Sequence, residues 1–214
     1  MFSKWIVALP DIAEDKAEIA KKYGFISYPE FHDNFYVYYV RFKTINFRKI
    51  FLKHFIKNEK KIKFVVYPDY QYDMKWLIKT YNDKQWIFPL HKKKEFDFIL
   101  KNEIEWVGFP HRNLRFPKTL WGDYTLQEYL DFCGEHGLKK WYLGFWLESK
   151  PEILLRFNGL DTTIPEYYAR KCGKIWLSWN KTVKTQNMKT DDIFEQNVVN
   201  LKKELISLQQ QQLL

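Results

Sequence analysis

Five short segments of the sequence end in the same way: an apolar or aromatic run, then proline, with a polar residue close behind. They are Ile6–Asp11 (IVALPD), Phe25–Glu30 (FISYPE), Phe64–Asp69 (FVVYPD), Trp86–His91 (WIFPLH) and Trp106–His111 (WVGFPH). Their prolines, Pro10, Pro29, Pro68, Pro89 and Pro110, are 19, 39, 21 and 21 residues apart. A strand buried on both faces reads as a continuous apolar run. Proline has no N–H to give to a sheet ladder, so it ends the strand. The residues behind it then stand at the strand's C-terminal rim. The gap of 39 is close to two units and holds another strand-like run, Phe35–Phe42 (FYVYYVRF).

Between these runs lie segments that mix apolar and charged residues at helical spacing: Ala13–Lys22, Asn46–Lys57, Tyr72–Tyr81 and Lys93–Asn102. Strand alternating with helix predicts a parallel sheet with crossover helices. Downstream the pattern is less regular. Thr125–Gly137 predicts a helix with a Thr125/Glu128 capping box and a Gly137 stop. Trp141–Trp146, Phe157–Thr163 and Lys174–Trp179 predict strands, Glu152–Phe157 a helical turn or two, and Pro165 the start of a short helix. Eight or nine strands suit a closed barrel better than an open sheet. The expected fold is therefore α/β, a (β/α)₈-type TIM-like barrel of short units over residues 1–181.

Residues 182–214 are expected to form a polar linker, Thr182–Lys189, and a C-terminal amphipathic helix from Thr190, with Asp191 and Asp192 favourable near its start. Phe194, Val198, Leu201, Leu205 and Leu208 form an apolar seam over two heptads. Such a seam packs either on the domain's own surface or against a second copy, in a homodimer.

The formal charge of +9, from 35 basic and 26 acidic residues, favours an anionic partner, nucleic acid first among them. Aromatics make up 19% of the chain. Flat rings serve a core and also stack on nucleobases. The two cysteines, Cys133 and Cys172, form no CxxC pair and suit a reducing cytoplasm. The N-terminal MFSKWIVALPD lacks a signal peptide's apolar region and cleavage site, and no apolar run reaches membrane-spanning length, so no membrane partner is expected.

Active residues of parallel α/β folds sit at strand C-terminal ends. This selects Asp11, Glu30, Asp69, His91, His111, Arg112, Glu148 and Asp161. Asp69, His91 and His111 occupy matched positions on three successive strand ends and are candidates for one pocket. They are also the residues from which a metal-dependent hydrolase would draw ligands, but no HxH or HExxH spacing supports a metal, and none is expected. GxSxG, Walker A and GxGxxG motifs are absent.

The segment Gly144–Thr163 (GFWLESKPEILLRFNGLDTT), followed by ARKCGKIW, resembles the end of the tRNA-guanine transglycosylase superfamily barrel. It is most similar to the diverged branch of phage-borne and archaeal homologues, some of which modify DNA. FVVYPD and WVGFP look like that branch's Pro-Asp and Gly-Pro strands. The resemblance implies a pentosyltransferase that inserts a 7-deazaguanine for guanine in tRNA or DNA, without a cofactor. An Asp carboxylate attacks the ribose C1′, guanine leaves and the new base replaces it. Asp161 would be the nucleophile and Asp69 a second rim acid. His91, His111, Arg112, Gly144 and Glu148 would bind substrate, with Trp106 and Trp146 sandwiching the base. The family's early Asp-Ser-Gly motif and its zinc cysteines have no counterpart here. That departure keeps a second expectation open, a non-catalytic nucleic-acid-binding protein on the same barrel.

Overall fold

Continuous apolar runs and proline stops translate into strands of only two to five residues. The computed structural model describes residues 5–10, 14–34, 46–111, 122–146, 150–179 and 181–211. Eight strands form one sheet: β1 (Ile6–Leu9), β2 (Ile26–Ser27), β3 (Phe31–His32), β4 (Phe64–Val66), β5 (Gln85–Pro89), β6 (Trp106–Pro110), β7 (Lys139–Leu143) and β8 (Gly159–Asp161). Their order is β2-β1-β8-β7-β6-β5-β4-β3, with helices between strands. This is an α/β, TIM-like, nearly closed barrel of short units, with a helix at its C-terminal end. The expected strand Phe35–Phe42 lies outside the described residues. The dipeptide β3 had no sequence signal of its own.

By its contacts the chain divides into two compact units, residues 29–141 and residues 1–28 with 142–214. In the first unit β3, β4, β5 and β6 pair in parallel, with Phe31 opposite Phe64, Val65 opposite Trp86 and Phe88 opposite Val107. Between the strands run α2 (Phe47–Asn58), α3 (Trp76–Thr80), α4 (Phe96–Lys101) and α5 (Leu126–Glu135). Asn46 caps α2 by accepting the Lys49 N–H. Thr125 and Glu128 form the expected capping box on α5, and Gly137 ends that segment at a φ of 65°. His32 is fully buried edge-on to Phe51 and Phe55, with ring centroids at 4.8 and 5.7 Å. Burial drives its pKa down to about 3, against the pull of a backbone hydrogen bond at Phe51.

The second unit holds β1, paired in parallel with β2 (Ala8 opposite Ile26) and β8 (Val7 opposite Leu160). It also holds α1 (Glu14–Lys22) and α6 (Ile164–Tyr167), which continues as a π-helical turn, Tyr168–Cys172. Gly173, at a φ of 57°, ends that turn. β9 (Lys174–Ser178) is a strand as expected, but it is not part of the eight-stranded sheet. It pairs antiparallel with β10 (Lys181–Lys184), in the segment whose polarity suggested a linker.

Helix α7 (Thr190–Gln210) packs on β9, α6 and the π-turn. Its seam residues Phe194, Val198, Leu201, Leu205 and Leu208 are at most 4% exposed within the chain itself. Asn197 sits among them, fully buried. Its side chain accepts the Trp176 N–H at 2.6 Å and donates to the Pro165 and Lys174 carbonyls at 3.2 Å. Asn200 donates to the Trp176 carbonyl at 2.8 Å. One strand's backbone is thus satisfied by helix side chains where it has no sheet neighbour. Lys22 and Tyr23 reach Glu195, each at 2.7 Å, and tie α1 to α7.

Two outcomes follow. Asn197→Ala leaves two buried backbone groups and one part-buried one without this partner and is expected to cost about 3 kcal/mol in urea unfolding; a loss within experimental error would mean that the seam alone fixes α7. His32 is expected to weaken the fold on acidification, because the unfolded chain takes a proton that the folded chain refuses. Stability falls by about 1.4 kcal/mol per pH unit as pH drops from about 6.5 toward 3, and His32→Phe removes that part of the slope.

Candidate functional site

The strand ends carry two separate sets of polar side chains, one in each unit. In the unit of residues 29–141, β4 runs out through Tyr67, Pro68 and Asp69, and β5 through Leu90 and His91. Gln71 donates its N–H to the Pro68 carbonyl and closes a tight turn with Tyr70 at a φ of 59°. A left-handed tyrosine is uncommon and strained. The turn brings the Tyr70 ring flat over His91, with centroids 4.7 Å apart. Asp69 Oδ1 lies 2.9 Å from His91 Nε2, and both residues are less than 10% exposed.

The backbone bearing His91 is held by a buried carboxylate. Glu95 Oε2 accepts the N–H groups of His91 (2.6 Å) and Lys92 (2.8 Å), and its Oε1 accepts the Tyr72 hydroxyl. Burial, then this carboxylate, pushes the Tyr72 pKa up, so the hydroxyl stays a donor. For His91 burial is the largest influence and disfavours the cation. The Asp69 hydrogen bond and the charges of Asp69 and Glu95 together outweigh it, and the pKa is raised. A carboxylate on Nε2 fixes the neutral tautomer with its proton there and the Nδ1 lone pair available. Such a dyad can take a proton from a water or hydroxyl at Nδ1.

In the other unit β8 ends at Asp161, which is 7% exposed. Its Oδ2 accepts the Gly144 N–H at 2.9 Å, and its carbonyl accepts the Phe145 N–H at 2.9 Å. Gly144 adopts a φ of 65°, which glycine takes without strain and which turns its N–H back to the carboxylate. Thr162 carries out the capping. Its hydroxyl accepts the Ile164 N–H at the start of α6 and donates to the Phe145 carbonyl at 2.7 Å. The Asp161 carboxylate is thus tied to the turn after β7. Two residues beyond Gly144, Trp146 stacks on Tyr168 at 6.1 Å and meets Tyr167 edge-on at 4.8 Å. Tyr167 is 42% exposed.

The remaining candidates fall elsewhere. Trp106 is the first residue of β6, not a rim residue. At about 3.3 Å per residue, it stands roughly 13 Å along the strand from Pro110. Its ring packs on Phe64 and Trp141, its N–H donates to Gln85 Oε1 at 2.8 Å, and it lines a cleft of about 460 Å³ with Lys79, Lys101 and Trp86. The reason is spacing: in WVGFP only the residues after Phe109 reach the rim. His111 does follow the β6 end and is half-buried. Glu30 turns away to an exposed ion pair with Lys63 at 3.0 Å. Asp11, Arg112 and Glu148 lie outside the described residues. Tyr70, Tyr72 and Glu95 were not singled out by sequence; Lys92 at the helix start offers no acceptor, so no capping-box motif marks Glu95. Among the described residues no cluster of three His, Cys, Asp or Glu could hold a metal ion, and no helix is long and apolar enough to cross a membrane.

The His91–Asp69 pair has a definite pH signature. A folded-state pKa above the unfolded value of about 6.5 contributes stability below pH 6.5, and the contribution is lost as pH rises through the folded value. Asp69→Asn is expected to lower the His91 midpoint in an NMR titration. A native midpoint at or below 6.5 would contradict the pairing.

No family model matches the chain. A relative described as uncharacterized protein ORF192, of Acidianus two-tailed virus, is 29% identical over 147 residues, spanning 66% of this chain and 70% of its own. Among solved structures, one described as "Native KDPGal structure" superposes with a TM-score of 0.52 at 10% identity, covering 96% of each chain. At that identity the likeness is one of fold.

Proposed function

We propose that this barrel is a base-exchange enzyme, or a relative of one, acting on guanine in tRNA or DNA, with Asp161 as its nucleophile. The observation that carries the reading is the setting of the Asp161 carboxylate: buried at a strand's C-terminal end and held by the N–H of Gly144, two residues before Trp146, which stacks on Tyr168. A backbone donor orients the carboxylate, as attack on a ribose C1′ requires. In the reaction Asp161 bonds to C1′ as the bond to guanine breaks, and the incoming base then displaces the carboxylate. Trp146 and the exposed Tyr167 offer flat faces to an unstacked base. The resemblance of GLDTT and the residues after it to the transglycosylase superfamily agrees with these roles, and so does the charge of +9 with a nucleic-acid substrate.

A second reading has its own observation. The His91–Asp69 dyad, with Nδ1 of His91 available, is the arrangement of a general base, and a hydrolase would use it without needing Asp161. The two readings separate by substitution. Asp161→Asn is expected to reduce incorporation of labelled 7-deazaguanine or guanine into tRNA or DNA by about 10³-fold or more, as loss of a covalent nucleophile does. Incorporation unchanged in that variant would remove the base-exchange reading. Hydrolysis lost in His91→Gln but kept in Asp161→Asn would establish the second.

A further inference from the structure

Between Glu166 and Asp191 the chain carries six basic residues and no acidic one: Arg170, Lys171, Lys174, Lys181, Lys184 and Lys189. They lie on the π-turn, on both strands of the β9–β10 hairpin and just before α7. All but the half-buried Lys174 are exposed. Arg170 pairs with Glu166 at 3.3 Å; among the described residues the five lysines make no ion pair. Lys174 and Lys184 stand directly opposite each other across the hairpin. Like charges so placed repel. Lysine on an edge strand deters pairing with other strands, but one would serve that purpose. Five lysines without an ion pair among the described residues, two of them face to face, make a surface that an anion stabilises.

This surface adjoins the Asp161 strand end within one unit. Trp179, just beyond β9, packs on Phe145 at 6.3 Å, and Phe145 donates its N–H to the Asp161 carbonyl. Tyr168, two residues before Arg170, stacks on Trp146. We propose that the basic face from Arg170 through the β9–β10 hairpin to Lys189 holds the phosphate backbone of a nucleic acid and so delivers one of its nucleotides to Asp161. The proposal deepens the base-exchange reading and rests on it for the role of Asp161, but phosphate binding stands by itself. A repeating polyanion matches lysines spread along a ribbon. A lipid surface would instead call on an apolar helix stripe, and the stripe of α7 is buried; on the basic face only Val183 and Met188 are exposed apolar residues.

The test is the salt dependence of binding to a labelled single-stranded oligonucleotide, followed by fluorescence anisotropy on the full chain. Each phosphate contact contributes about 0.7 to the slope of log affinity against log salt for a single strand. The variant K174Q/K181Q/K184Q is expected to flatten that slope by about 2, and the corresponding triple arginine variant to restore it. A K60Q/K61Q variant, in the other unit, is the control and leaves the slope as it was. Unaltered thermal melting shows that the hairpin substitutions leave the fold intact. A slope unchanged in the triple glutamine variant overturns the proposal, as does native protein that fails to bind at low salt. Binding to phosphatidylserine vesicles but not to oligonucleotide overturns it in favour of a membrane surface. Asp161→Asn is expected to keep both affinity and slope. Loss of slope in the hairpin variant, with no base exchange by the native chain, leaves the surface standing and removes the reaction. Exchange by the native chain, with a hairpin variant that binds normally, does the reverse.

Discussion

A parallel strand of two to five residues makes few ladder hydrogen bonds, so its ends must be held by something else. In this protein side chains do it. The Tyr67 hydroxyl donates to the Gln71 carbonyl, Tyr124 to Leu90 and Tyr129 to Val107, and the Trp86 indole donates to Tyr81. Glu95 and Asp161 accept from backbone N–H groups at the ends of β5 and β7. Each tyrosine buries a large apolar face and satisfies a carbonyl with its tip. The high aromatic content follows from short strands: rings supply core area that two-residue strands cannot, and hydroxyls replace missing ladder partners.

The same economy shapes the electrostatics of the unit of residues 29–141. Its two buried histidines oppose each other. His32 lies among phenylalanines and resists a proton. His91 lies against Asp69 and retains one. One loses stability toward acid and the other toward alkali, so their combined contribution is greatest near the unperturbed histidine value. What separates them is the partner: at similar depth, an aromatic wall and a carboxylate move the same group in opposite directions.

Much of the barrel was legible because proline punctuates it. Pro10, Pro68, Pro89 and Pro110 mark the ends of β1, β4, β5 and β6, and the Thr125–Glu128 box marks the start of α5. These are local rules, set by a missing N–H or by a cap. β3 escaped because two residues, Phe31 and His32, carry no periodicity. The β9–β10 hairpin read as a last barrel strand and a linker because an apolar run does not say which neighbour it pairs with; Asn197, 21 residues downstream, decides that. Trp106 opens its strand, four residues before Pro110, as its place at the start of WVGFP already implies. Asp69, His91 and Asp161 were found as strand-end residues. That Asp69 pairs with His91, and that Asp161 binds Gly144, depends on turns whose left-handed residues, Tyr70 and Gly144, only coordinates reveal.

The division into a contiguous unit and a split one bears on how the chain assembles during synthesis. Residues 29–141 contain β3 to β6 and their helices in one stretch, so that unit has its strands as soon as the ribosome has passed them. Residues 1–28 are made before that unit and are completed after it. β1 has β2 at once, but its other neighbour, β8, comes some 150 residues later. Lys22 and Tyr23 wait longer still for Glu195. Trp5, Val7 and Leu9, destined for burial, therefore stay without their later partners while the whole contiguous unit is made. The α7 helix, through Glu195, is the last element to join that segment.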